Sequence, residues 1–424
     1  MTLTPHVVTR TDIGRVRTNN EDAFLADHDL GLFAVCDGMG GHQAGEVAAR
    51  TTCDTVHREL AAAAKLRGRF LASGSPTDAI ALRRAVEAAI LSACKEVYRQ
   101  ASRTPELAGM GTTCTVVLLI GHNKGILGHV GDSRLFVLRG GRVHQLSEDH
   151  TYVNELVKRG ALTREQARNH PQGNVLSRAL GVQPTVAVDT MIFDIDPGDT
   201  YLLCSDGLYN YYPDSDELAQ GLSDTVLANG VNLLIDRALT RGGHDNCTAI
   251  ALRFAGAPVL TPTAAEQRIA MLKRIPFFAH LTYPELVKVV GLTELGRAGA
   301  GQEVIQEGEQ GDELYVILSG EVTIIKDAQT IATLKAGAHV GEMGLIDNAP
   351  RSATVRAKTD VNLLVMRREE FFSLIRGEPL IAAKLLWSFL QVLSGRLRDT
   401  NEQLRGARSK LASSEGLEVF IDEE

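Results

Sequence analysis

Cysteine is scarce in this 424-residue chain and unevenly spread: Cys36, Cys53, Cys94, Cys114, Cys204 and Cys247 all precede position 248. None stands in a C-x-x-C pair, and several lie inside apolar runs such as TTCTVVLLI. A disulfide framework or zinc site therefore yields to buried, reduced thiols and a cytoplasmic setting. Basic excess is missing too. The 44 Lys and Arg face 52 Asp and Glu, a formal net charge of −8, which argues against a general nucleic-acid binder. No window reaches the roughly 18 uninterrupted apolar residues of a membrane span, and MTLTPHVVTRTDIGR carries no charged-then-apolar signal. Gly and Pro are scattered without a short period, which excludes collagen-like and low-complexity chains. What is present, 44% hydrophobic and 23% charged residues, is ordinary soluble composition with length for two or three domains.

Residues 1–255 alternate β-like runs (GLFAVCDG, TTCTVVLLI, GILGHVGDSRLFVLRGGRVHQLS, DTYLLCSDG) with Ala-rich stretches at helical spacing, an α+β pattern. Gly140-Gly141 suits a hairpin turn, because both positions can take positive φ. Residues 256–275, with prolines and small residues, read as a linker. Residues 276–412 form a second domain, in which β-like runs up to 370 precede one long helix over 378–412. The seam Leu386, Leu390, Leu393, Leu397, Leu404 and Leu411 on that helix packs either on its own domain or on a second copy, a homodimer. Residues 413–424 are an acidic tail without Lys or Arg, expected to be frayed.

Four Asp residues end apolar runs beside Gly or Asn: Asp37, Asp132, Asp206 and Asp245, with Glu21-Asp22 as a further acidic pair. Each alone reads as a turn. Gathered at one sheet rim, such carboxylates would repel unless cations neutralise them, and Mg²⁺ or Mn²⁺ suits an all-oxygen set better than calcium, whose loop pattern is missing. A hard divalent ion held this way lowers the pKa of its bound water. His42 in GMGGH is either the general acid for the leaving group or a hydrogen-bonded loop residue, and Asn246 either orients Asp245 or serves a turn.

DIGRVRTNNEDAF, VCDGMGGHQAGEVA, GTTCTVVLL, HVGDSRLFVLRGG, NVLSRALG, YLLCSDGL and GGHDNCTAI, in that order, make residues 7–254 resemble the bacterial metal-dependent protein phosphatase 2C family. The resemblance implies a four-layer α-β-β-α sandwich holding two metals at one end, and a third, weaker one. By motif match Asp37 bridges the pair, the Gly38 carbonyl completes one site, and Asp206 and Asp245 serve the other. Asp22, with Glu21 beside it, holds metal-bound water, Asp132 serves the third metal, and Arg17 grips the substrate phosphate. The polar stretch 149–175 matches the family's mobile flap; a substrate lid and a solvated insertion are equal readings.

In the second domain, Gly-rich turns join short β-like runs, and GEMGLIDNAPRSA sets a Gly-Glu and an Arg around a short helical stretch. Backbone N–H groups, a guanidinium and an acceptor there make an anion and hydroxyl receptor; alternatively Glu342 and Arg351 form a surface ion pair. Residues 276–405 resemble the cyclic nucleotide-binding domain family, a β-roll closed by a C-terminal helix. The resemblance gives Glu342 to the ribose hydroxyl and Arg351 to the cyclic phosphate. Ser352, Ala353 and the Gly341 backbone surround the phosphate, and Thr400-Asn401 meets an adenine, which favours cyclic AMP over cyclic GMP. No helix-turn-helix sequence follows.

The sequence thus predicts a serine/threonine phosphatase of phosphoproteins, opposed by a kinase and governed by cyclic nucleotide. The rival, from a different class, is a non-catalytic phosphoprotein-binding scaffold; lost metal ligands would mark it, and Asp37, Asp206 and Asp245 are all present.

Overall fold

The computed structural model describes residues 4–40, 44–168, 170–256, 264–342, 344 and 350–414. The chain divides into two compact units, Met1–Gln267 and Arg268–Glu424.

Two antiparallel sheets make the centre of the first unit. One runs in the order β1 (Pro5–Asp12), β11 (Cys247–Phe254), β10 (Thr200–Cys204), β7 (Arg134–Arg139), β8 (Arg142–Gln145). The other runs β2 (Asp22–Asp27), β3 (Leu32–Met39), β5 (Cys114–Gly121), β6 (Lys124–Val130), β9 (Asp189–Asp194), with the short β4 (Gly111–Thr112) beside the end of β3. Strands β5 and β10 are buried at every residue, as expected of strands covered on both faces. The two-residue side-chain period divides each strand between two cores. Leu32, Ala34 and Cys36 of β3 pack with helices α1 (Ala44–Ala62), α2 (Ala64–Ser73) and α3 (Pro76–Arg103). Phe33 and Val35, fully buried on the opposite face, lie between the sheets. On the far side, Leu202 and Cys204 of β10 pack with α6 (Asp206–Tyr209), α7 (Ser215–Leu222) and α8 (Leu227–Thr240). Four layers result, as expected. Gly140 and Gly141 turn the β7–β8 hairpin at φ 54° and 76°, the doubly positive turn read from the sequence.

The polar stretch after β8 forms two short helices, α4 (Tyr152–Lys158) and α5 (Arg164–Arg168). Part of the expected linker is ordered as a helix, Ala264–Arg274, while residues 257–263 lie outside the described part.

The second unit holds two four-stranded sheets. Their orders are β12 (Glu294–Ala298), β19 (Val361–Arg367), β14 (Glu313–Ser319), β17 (His339–Val340), and β13 (Glu303–Ile305), β18 (Thr354–Ala357), β15 (Glu321–Lys326), β16 (Gln329–Lys335). Ile317, Val322, Val340, Val355, Val361 and Leu363, drawn from both sheets, share one core, which closes the roll. The long C-terminal helix spans Pro379–Ser414, close to the 378–412 expected. The acidic tail from 415 onward lies outside the described residues.

One contact tests the outer helical layer. A Cβ on Gly230 of α8 would lie 1.9 Å from the Gly221 carbonyl oxygen of α7. Gly230→Ala should destabilise the first unit by about 1–3 kcal/mol through forced separation of the two helices, read by urea unfolding; an unchanged midpoint would contradict that packing.

Candidate active site

Pairing between β2 and β3 sets Asp22 directly opposite Asp37. Strands β10 and β11 are antiparallel, so Asp206, two residues beyond the end of β10, and Asp245, two residues before β11, reach the same end of the sandwich. Asp132 lies in the turn from β6 to β7, where the chain crosses between sheets. Asp37, Gly38, Asp132, Asp206, Asp245, Glu21 and Arg17 all line one cavity of about 770 Å³. Asp22 stands behind them at the Asp37 register.

Hydrogen bonds fix the frame. The Asp37 N–H donates to Thr113 Oγ1 (2.8 Å), and Thr112 Oγ1 donates to the Asp37 carbonyl (2.9 Å). Ser205 Oγ donates to Asp22 Oδ2 (2.7 Å) and accepts from the Thr248 N–H (3.0 Å). Asn246, left between two roles by the sequence, does more than hold Asp245. Its amide donates to the carbonyls of Ile13 and Asn19 (both 2.9 Å) and accepts from the Glu21 N–H (2.8 Å), pinning the loop that carries Arg17 and the acidic pair. Arg17 Nη2 donates to Asp245 Oδ2 at 2.7 Å, and its Nη1 lies 3.8 Å from Glu21 Oε2.

The electrostatics follow from crowding like charges and burying them. Burial first, and repulsion from Asp22, Asp206, Asp132 and Asp245 second, push the Asp37 carboxyl well above its ordinary range. Burial likewise raises Asp206 to about 6, Asp22 to about 7 and Asp132 to about 8, and Glu21 also rises. Asp206 also feels Asp245, which raises its carboxyl further.

Divalent ions fit these residues. Asp22 Oδ1 and Glu21 Oε1 are buried oxygens without a hydrogen-bond partner. The donor set is carboxylate and carbonyl oxygen throughout, the chemistry of Mg²⁺ and Mn²⁺. Side chains are excluded where the backbone closes in: a Cβ on Gly38 would lie 2.1 Å from the Gly45 carbonyl oxygen. Among the described residues, no three carboxylate, His or Cys side chains are drawn together closely enough to form a finished ion site. The carboxylates share a cavity, and cations would have to draw them inward.

His42 lies outside the described residues. The flap expectation is revised: within 149–175 only Asn174 lines the cavity, and the wall is built mainly by 174–187, including Leu176, Ser177, Arg178, Val182 and Val186. Ser205, Thr113 and this wall are assigned no role from the sequence, although they lie in or beside the motifs YLLCSDGL, GTTCTVVLL and NVLSRALG.

In the second unit, Arg351 is buried at 9% exposure, its guanidinium donating to the carbonyls of Glu313 (2.9 Å) and Gly341 (3.2 Å). A surface ion pair is therefore not its setting. A Cβ on Gly341 or Gly311 would come within 2.6 Å or 2.4 Å of that guanidinium, so glycine backbone cradles it, and Gly341 takes φ 85°. Glu342 follows Gly341 directly; Ser352 is exposed and Ala353 half-buried just after Arg351. Asn401 is exposed on the C-terminal helix, and the Thr400 side chain lies outside the described part.

A two-sheet sandwich whose strand ends gather oxygen ligands beside an arginine defines the class of metal-dependent phosphatases. Residues 14–233 match the family Protein phosphatase 2C, and residues 297–378 match the Cyclic nucleotide-binding domain. The chain belongs to the protein phosphatase 2C family and carries a cyclic nucleotide-binding domain after it. It is 36% identical to the serine/threonine phosphatase stp of Listeria innocua over 248 residues, 58% of this chain and 94% of that protein. It is 38% identical to the serine/threonine protein phosphatase PstP of Mycobacterium tuberculosis over 59% of this chain and 45% of that one. The crystal structure of the Mycobacterium tuberculosis phosphatase PstP aligns with a TM-score of 0.51 at 35% identity, covering 60% of this chain and all of that one. The catalytic domain of PstP in complex with two manganese ions aligns with a TM-score of 0.50 at 33% identity, covering 60% of this chain and 100% of that one.

The raised carboxyl pKa values predict a pH dependence. An unfolded Asp titrates near 3.9, so these groups' stabilising contribution is full below about pH 4 and is lost as pH rises through about 6 to 8. In chelator, the melting temperature of the first unit within the full chain should fall from about pH 5 to about pH 8, and saturating Mn²⁺ should flatten that fall. A chelated sample with a flat profile over this range would contradict the crowded-carboxylate account.

Proposed function

We propose that the first unit removes phosphate from phosphoserine and phosphothreonine side chains of proteins with a pair of Mg²⁺ or Mn²⁺ ions, and that cyclic nucleotide bound by the second unit sets its rate. The observation that carries this reading is the Asp22–Asp37 register, with Asp132, Asp206 and Asp245 at the same cavity end beside Arg17. In this assignment Asp37 serves both ions, the Gly38 carbonyl completes one site, and Asp206 and Asp245 serve the other. Asp22 and Glu21 order the surrounding water, and Asp132 serves a third, weaker ion. When bound, the ions supply hydroxide near neutral pH and offset charge on the phosphoryl oxygens. The Arg17 guanidinium is half-exposed at the cavity and already grips one anion, Asp245, so it suits a phosphoryl group of the same fork geometry. The non-catalytic scaffold reading has no feature in its favour, since every ligand position is filled and faces the cavity or its rear wall.

In the second unit, the cradled Arg351 presents a fixed charge for a cyclic phosphate, with Glu342 for the ribose and Gly341, Ser352 and Ala353 around it. Thr400-Asn401 favours cyclic AMP over cyclic GMP. Leu386, Leu390, Leu393 and Leu404 are 40–60% exposed on the C-terminal helix, which supports pairing with a second copy. The six free, buried thiols support a cytoplasmic setting, where a serine/threonine kinase would oppose the enzyme.

The test is hydrolysis of a phosphothreonine peptide by the full chain, with and without Mn²⁺ and each nucleotide. Activity should require the ion. Asp37→Asn should lower kcat, and Arg17→Ala kcat/KM, by about 10²–10³-fold. Turnover unaffected by chelator or by Asp37→Asn would overturn the reading. Arg351→Ala should weaken cyclic AMP binding about 10- to 100-fold by calorimetry and remove a nucleotide response of about 5- to 150-fold in rate; a response that survives in the variant would separate regulation from this site.

A further inference from the structure

His150 is fully buried and takes no part in the chemistry assigned above, yet it joins two parts of the site. Its backbone N–H donates to the Gly131 carbonyl (2.8 Å), and its ring Nδ1 accepts from the Gly131 N–H (3.1 Å). Both polar groups of the residue preceding Asp132 are thus held by one side chain and its own backbone. The His150 carbonyl accepts from the Ser177 N–H (2.8 Å), and Ser177 belongs to the cavity wall. Its Nε2 lies 3.2 Å from both Asp189 Oδ2 and Arg178 Nη1. Asp189 also takes Arg178 Nη1 at 2.9 Å, and Arg178 is the next wall residue. The buried ring of His129 lies against that of His150, with centroids 4.9 Å apart, and limits its rotation.

We propose that His150 is a positioning residue: through Gly131 it sets the Asp132 carboxylate at the cavity, and through Ser177 and the Asp189–Arg178 pair it locks that carboxylate to the substrate-facing wall. The inference rests on the metal-dependent hydrolysis proposed above. Gly131 is suited to such a clamp. It takes φ 107°, and a Cβ there would lie 2.5 Å from the Thr113 side chain, so the turn cannot be braced by a side chain of its own. His150 supplies that brace through both polar groups of Gly131.

The test compares His150→Gln, which lacks an acceptor at the Nδ1 position, with His150→Asn, whose Oδ1 can stand near Nδ1 and accept from Gly131. Amide hydrogen exchange, Mn²⁺ titration by calorimetry, and kcat and KM for a phosphopeptide are measured on the full chain. His150→Gln should speed exchange at Gly131 and Ser177, weaken the weakest Mn²⁺ step about tenfold and lower kcat with KM little changed, while His150→Asn restores most of each. Combined with Asp132→Asn, His150→Gln should add little further loss, because both act on one group. Additive losses, or equal behaviour of Gln and Asn variants, would overturn the proposal. If the wild-type chain showed no metal-dependent hydrolysis, the functional reading would fail by itself, and unchanged exchange at Gly131 in His150→Gln would separately remove the clamp.

Discussion

Repulsion among carboxylates held at one end of the β-sandwich is the constraint on which the first unit turns. Two charges about 4 Å apart repel by about 4 kcal/mol at an intermediate effective dielectric, and five acidic side chains share the neighbourhood of Asp37. A flexible scaffold would relieve this by moving apart. Here Asp22 and Asp37 are locked opposite each other by strand register, and Asp206 and Asp245 are tied to adjacent strands β10 and β11. The buried layers of α1–α3 on one side and α6–α8 on the other keep those strands from separating. The fold stores an affinity for positive charge. The Arg17 guanidinium on Asp245 meets part of it, and the divalent ions proposed for the working enzyme would meet the rest.

The sequence made the charged members of the site legible, because Asp beside Gly at the end of an apolar run signals a carboxylate at a sheet rim. It also made the hairpin at Gly140-Gly141 and the helices α1 and α3 legible through turn chemistry and periodicity. Other parts carry no such signature. Ser205 and Thr113 are uncharged residues inside strand-like runs, and only the three-dimensional crossing of β3, β5 and β10 reveals that they hold Asp22 and Asp37. The wall 174–187 is irregular and of mixed polarity, so it offered no period to read, whereas the neighbouring charged stretch 149–175 drew attention to helices that line little of the cavity. Asn246 could be read only as orienting Asp245 or serving a turn, because its partners, Ile13, Asn19 and Glu21, are more than two hundred positions away.

The second unit solves a related problem with the opposite sign. A buried guanidinium without partners would be costly, and Arg351 is satisfied by backbone carbonyls rather than by a carboxylate. These neutral oxygens hold the guanidinium in place without neutralising it. The glycines at 311 and 341 make this arrangement possible by letting the main chain approach where any side chain would collide.

All six sulfhydryls lie beneath the surface, Cys36 and Cys53 with their sulfur atoms 3.7 Å apart between β3 and α1. The exterior is therefore blank to thiol-directed reagents while the protein stays folded. One cysteine placed on each unit would be the pair that reacts first, so spectroscopic labels could follow the distance between the phosphatase and cyclic nucleotide-binding units in solution without removing any native residue.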